Sequence, residues 1–181
     1  MDIKYNTDGL EKLKKAFAGR SYVKVGVLSE GAARNNDYLL SRYNKFKNDE
    51  SIPESIREGL LRTYQENPSN ADVGASLEFG VVSKKVPARP WLMASVTSSI
   101  INIIKQDKKI IELMAKRGKQ DDSLQIIGAI VEDKIQEAFE TEGDGKWPGL
   151  SPITIKLKGS SAIGIDTAQL RKSVSSQVVS Q

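Results

Sequence analysis

The sequence predicts an α+β fold: a small antiparallel sheet packed against a hairpin of two long helices, with extended loops and an inserted helical region. Three observations lead there. Val23, Val25 and Val27 alternate with Tyr22, Lys24 and Gly26, the period of a strand half buried on one side. Leu92, Val96, Ile100, Ile103, Ile110 or Ile111, and Met114 recur at helical spacing. Leu124, Ile127, Val131, Ile135 and Phe139 then form a second stripe after a short connection, which favours an antiparallel helix pair.

Taken in order, residues 8–18 read as a short helix, with Asp8 as cap and Leu10, Leu13 and Phe17 on one face. Lys12, Lys14 and Lys15 lie mostly off that stripe and read as a solvated face. In the strand that follows, Gly26 suggests a close backbone approach or a bulge. Residues 29–71 are polar and uneven and read as a helical insertion projecting from the core. One short helix is expected around Tyr38 to Tyr43. Another follows Pro53 as far as Tyr64, since proline suits a first helical turn.

Residues 72–79 form a further short helix, closed by Gly80. Pro87 and Pro90 keep the chain extended before a helix from about 90 to 117. Asp121 or Asp122 caps the next, which runs to about Glu140. Ser151 and Pro152 then mark a cap and first turn, and residues 167–173 read as another helix capped by Asp166 or Thr167. Residues 175–181 are expected as a strand or a mobile arm. The 181 residues suit one domain.

Composition narrows the chemistry. With no cysteine and no histidine, thiolate chemistry, disulfides and the serine–histidine or cysteine–histidine nucleophiles are excluded. Zinc would need carboxylates alone. No catalytic residue, metal or cofactor is therefore assigned. The net charge of +4 is only mildly basic. The N-terminus is too polar for a signal peptide, and no apolar run approaches the ~20 residues of a membrane span. A soluble protein made in the cytoplasm is expected.

Four constellations stand out. Trp147, Leu150 and Leu170 are apolar groups in a polar stretch; Trp147 can pin its loop to the domain or meet a partner. Arg89, between Ala88 and Pro90 and just before Trp91, can stack or bind a carboxylate, and Glu78 is its nearest candidate. The alternative is two unrelated surface charges. Glu137, Glu140, Glu142 and Asp144 form an acidic cluster without the spacing of a calcium loop, and read as a solvated helix end. Lys156, Lys158, Arg171 and Lys172 make the C-terminal region basic and can touch DNA phosphates.

The first two of these sit in segments that resemble the virion-morphogenesis, or tail-completion, proteins of long-tailed bacteriophages. The matching residues are Trp147, Pro148, Leu150, Ser151, Pro152, Thr154, Lys156 and Lys158, then Ile165, Thr167, Leu170, Ser173 and Val174. Related neck and tail families carry the pattern seen at Glu78, Phe79, Gly80, Pro87, Ala88, Arg89, Pro90, Trp91 and Leu92. The likeness covers roughly residues 72–178, in the same order. The chain departs from it in an inserted Gly149, in region 29–71, and in Ala168 where glycine is usual, so a helical turn without positive φ is expected there.

The resemblance implies a non-enzymatic virion protein of the head–tail junction, acting in tail completion, as a tail terminator or in a neck ring. Its implied partners are itself, as a hexameric ring, and portal or connector, tail-tube and sheath proteins, with genomic DNA passing through the ring. No membrane is involved. Interface candidates are Glu78, Phe79, Arg89, Pro90, Trp91, Trp147, Leu150, Lys156, Lys158, Leu170 and Arg171. The loops at 79–92 and 147–158 would be buried between subunits, with the C-terminal segment adding a strand to a neighbour. The alternative is a DNA-binding or packaging accessory protein of a phage.

Overall fold

The computed structural model describes residues 21–106, 108–116 and 120–180. The helix expected at 8–18, with its lysines, lies outside the described residues. Eight α-helices and two strands make up the α+β fold among those that are described.

Strand β1 (Tyr22–Val27) pairs antiparallel with β2 (Val174–Val179), from Tyr22 opposite Val179 to Val27 opposite Val174. Val23, Val25 and Val27 face the core as their alternation predicts. The ladder runs without a bulge; Gly26, at φ +141°, is buried near Leu92 instead. The C-terminal tail is thus a strand, paired with this chain's own β1.

Helices α1 (Asp37–Phe46) and α2 (Glu54–Glu66) pack on each other, with Leu39, Phe46 and the loop residue Ile52 buried. Buried asparagines tie this pair to the start of α3 (Asn70–Phe79). Asn70 donates to the carbonyls of Gly31 and Ala33 and accepts from Arg34, while Asn36 donates to Asn67 and to the Pro68 carbonyl. Ser69 and Asp72 cap α3 reciprocally, which starts the helix two residues before the expected 72.

Within the helix expected over 90–117, the described residues are helical over α4 (Met93–Gln106) and α5 (Lys108–Ala115). Both pack against α6 (Gln120–Glu140). The predicted α6 stripe is correct throughout: Leu124, Ile127, Val131, Ile135 and Phe139 are all buried. The α4 stripe is not. Ile100 is 43% exposed, while Ser95 and Ser99 are buried beside Ile103. Small side chains let α4 lie close to α6, where Ser95 Oγ stands 3.5 Å from the Lys134 carbonyl. The sheet also packs on α6, at Gly128, where an added Cβ would fall 2.5 Å from Ser176 Oγ.

Ser151 Oγ caps α7 (Pro152–Lys158) by accepting from the Thr154 N–H, as its position before proline suggests. Helix α8 (Gln169–Lys172) begins differently from expectation. Its cap is Ala168, at φ +57°, so the turn without positive φ is overturned. Asp166 and Thr167, the expected caps, both precede that position, and the Asp166 carboxylate binds Arg42 at 2.5 and 2.6 Å. Among the described residues, no helix is long and apolar enough to cross a membrane.

Candidate assembly interface

After α3 the chain reverses. Val81 and Val86 form an isolated antiparallel bridge, and Lys85 takes φ +54° at the turn. Gly80 is obligatory for the return, since a Cβ there would lie 2.7 Å from both Ala88 N and Val86 O. The Arg89 N–H then donates to the Leu77 carbonyl at 2.7 Å. Residues 80–88 therefore stand out as a small hairpin, with Glu78 and Arg89 buried at its base.

Those two residues do not pair with each other, contrary to the ion pair considered from sequence. Glu78 Oε2 accepts from the Trp91 and Leu92 N–H groups at 2.7 and 2.8 Å, and Oε1 from the Met93 N–H at 3.1 Å. The carboxylate satisfies the donors at the N-terminus of α4 and complements its dipole. Arg89 instead crosses to the second motif, donating from Nε to the Pro148 carbonyl at 2.8 Å and from its guanidinium to Gly149 at 3.1 Å. Its burial draws its pKa down from the ordinary arginine value.

The two distant motifs thus fold into one clasp. Trp147 returns the contact, donating from Nε1 to the Pro90 carbonyl at 3.2 Å. Phe139 lies between the tryptophans, with ring centroids 5.6 Å from Trp91 and 5.8 Å from Trp147. Trp91 donates to the Gly74 carbonyl at 2.9 Å. Leu170 joins this buried cluster, and Leu150 packs half-buried against it.

Burial corrects several interface candidates. Glu78, Arg89, Trp91, Trp147 and Leu170 are inside the subunit and cannot offer a surface to a neighbour. What remains outside is apolar: Phe79 is 75% exposed, Val82 95% and Met93 58%. Phe79 and Met93 rim an apolar hollow of about 240 Å³ above Leu92 and Val27. Pro90, also exposed, edges a groove of about 450 Å³ with Ala88, Ser98 and Trp147. Sequence reasoning missed Val82 and Met93. A valine beside two lysines, in a stretch bounded by Gly80 and Pro87, was the available signal for Val82.

The basic candidates are largely occupied. Lys156 Nζ donates to Asp49 at 2.7 Å and to Ser51, and its bond to Asp49, with that of the Ser51 hydroxyl to the same carboxylate, holds the Asp49 carboxyl down at a pKa of about 2. Lys158 donates to the Ala162 carbonyl, and desolvation lowers its pKa. Arg171 bonds Gln136 at 2.6 Å and pairs with Glu140. Lys156 and Lys172 are both exposed, and Lys156 is paired as above.

The acidic cluster is dispersed in the same way. Glu137 meets Lys134, Asp144 meets Lys146 at 3.7 Å, and Glu142 accepts from the Ile163 N–H. Among the described residues no group of three potential ligands could hold a metal ion.

Comparison with protein-family models, curated proteins and solved structures found no match to this chain.

Proposed function

We propose that the protein is a non-enzymatic subunit of a bacteriophage head–tail junction, assembling with copies of itself into a ring through which genomic DNA passes. The observation that carries this reading is the clasp. The two segments that resemble tail-completion proteins lie about 60 residues apart, and Arg89 joins them directly through the carbonyls of Pro148 and Gly149. Built this way, the motifs serve to hold a stiff base from which the 80–88 hairpin projects.

The assembly role passes to the residues at the hairpin and its rim: Phe79, Val82, Val86, Pro90 and Met93. Exposed apolar side chains gathered at one protrusion favour burial against another protein. Ring closure needs a head-to-tail interface, in which one surface of each subunit meets a different surface of the next. The portal or connector lies on one side of such a ring and the tail tube on the other.

Electron microscopy of lysates from the parent phage or prophage lacking this gene tests the proposal. Filled heads separated from tails support a joining role, and tails of abnormal length support a terminator role. Intact, infectious particles would overturn both and favour the packaging-accessory alternative.

A further inference from the structure

The hairpin offers a knob, and a ring requires a matching seat elsewhere on the subunit. At the tip, Val82 is 95% exposed and is followed by Lys84 and Lys85, both exposed and without an ion pair among the described residues. The seat should therefore be apolar, acidic and unused by the chain's own packing.

One surface meets all three conditions. Helix α6 buries one face against the sheet and the other helices, but its outer face is open. Ile126, Ala129 and Asp133 are exposed there, at spacings of three and four that align them in one stripe, and Ile126 is 40% exposed. Asp133 forms no ion pair among the described residues. Over the described part of α6 the acidic residues are Asp121, Asp122, Glu132, Asp133, Glu137 and Glu140, against Lys134 alone as a base. The stripe thus carries the charge opposite to the hairpin's around an apolar centre.

We propose that the Val82–Lys84–Lys85 tip of one subunit docks on the Ile126–Ala129–Asp133 stripe of α6 in a second copy of this chain. The inference rests on the ring-forming reading above and supplies its contact. Val82 would sit against Ile126 and Ala129, while Lys84 and Lys85 face Asp133. The two surfaces are different parts of the subunit, so each copy uses both and the contact propagates head to tail. Opposite charges at its rim speed encounter and set register more than they add affinity, so association should weaken with salt.

Sedimentation velocity of the purified full chain, over a concentration series at low and high salt, tests this. The wild type should self-associate, more strongly at low salt. Lys84→Glu/Lys85→Glu and Asp133→Lys should each associate roughly 5- to 30-fold more weakly, since each turns attraction into repulsion at a partly solvated rim. Val82→Ser should weaken association without altering thermal unfolding, because its side chain contributes nothing to the subunit core.

Mixing the two charge variants is the decisive arm. The acidic tip of one then meets the basic stripe of the other, and the unaltered lysine tip meets the unaltered acidic stripe. The mixture should recover assembly that neither component shows. A monomeric wild type, charge variants that assemble like wild type, or a mixture no better than its components would each overturn the contact. Unchanged assembly in the variants would remove this contact and leave a ring at the head–tail junction standing. Normal particles from the gene deletion would remove the junction reading and leave the contact.

Discussion

Glu78→Gln is the most informative single change, because it keeps shape and removes charge at a buried helix terminus. The carboxylate accepts three N–H groups, from Trp91, Leu92 and Met93, at 2.7, 2.8 and 3.1 Å. A glutamine places its oxygen where it can keep the two shorter bonds. Its amide nitrogen then faces the Met93 N–H, donor against donor. Bonds to a charged acceptor are worth about 1 kcal/mol more than neutral ones, so the two retained bonds lose ~2 kcal/mol together. The mismatched third adds about 1–2 kcal/mol, giving a total near 3–4 kcal/mol. For a chain of this size that corresponds to a fall in Tm of roughly 6–16 °C. Urea and thermal unfolding followed by circular dichroism measure it. A loss below about 1 kcal/mol would refute the argument, since it would mean that water caps α4 as well as the carboxylate does.

Three further outcomes follow from the same geometry. Trp147→Ala should cost about 3–5 kcal/mol of folding stability in urea unfolding. Assembly measured on the same samples should fall only in proportion to unfolded chain, since Trp147 is core. The Asp49 carboxyl, held near 2 against an ordinary 3.8 by Lys156 and then Ser51, contributes stability that is present above about pH 4 and is lost as pH falls through 2. In Lys156→Gln, an NMR titration of Asp49 should show its midpoint moving back up towards 3.8; an unmoved midpoint would show that Ser51 alone sets it. Ala168→Gly should stabilise the chain by about 1 kcal/mol, because alanine at φ +57° carries a strain that glycine lacks. A destabilised glycine variant would contradict the left-handed turn.

What could be read from sequence was what periodicity encodes. The α6 stripe is correct at every residue because all five of its large apolar side chains are buried, and β1 shows the period of a strand with one side buried. The Ser151 and Pro152 pair marked the start of α7 because cap chemistry is local. The α4 stripe failed at Ile100 for a physical reason. Counting apolar residues assumes that large side chains face the core, whereas Ser95 and Ser99 occupy that face where two helices come close.

The Glu78 and Arg89 partners were illegible for another reason. Both bind backbone groups, which every residue carries, so charge matching could not find them. Arg89 reaches carbonyls some 60 positions away, and nothing in the local sequence announces a carbonyl. The turn at Ala168 was misread because glycine's absence was taken as absence of the conformation. A structure can hold alanine there when Lys172 and Ser173 close the turn behind it, with Lys172 N–H donating to the Ala168 carbonyl at 2.9 Å.

The sheet consists of two strands lying almost at opposite ends of the chain, with Val23 paired to Val178. During synthesis β1 leaves the ribosome first and then waits while the residues between it and β2 are made. Until β2 emerges, the valine face of β1 and the Gly128 side of α6 have no second strand to complete their cover. The sheet is therefore expected to close late relative to its first strand, because the closing contact cannot form until every residue between β1 and β2 has been made. An incomplete polypeptide released before β2 would lack that closing strand and expose an apolar surface open to proteolysis. Only subunits translated through β2 would then persist, a quality check on subunits built into the order of the strands.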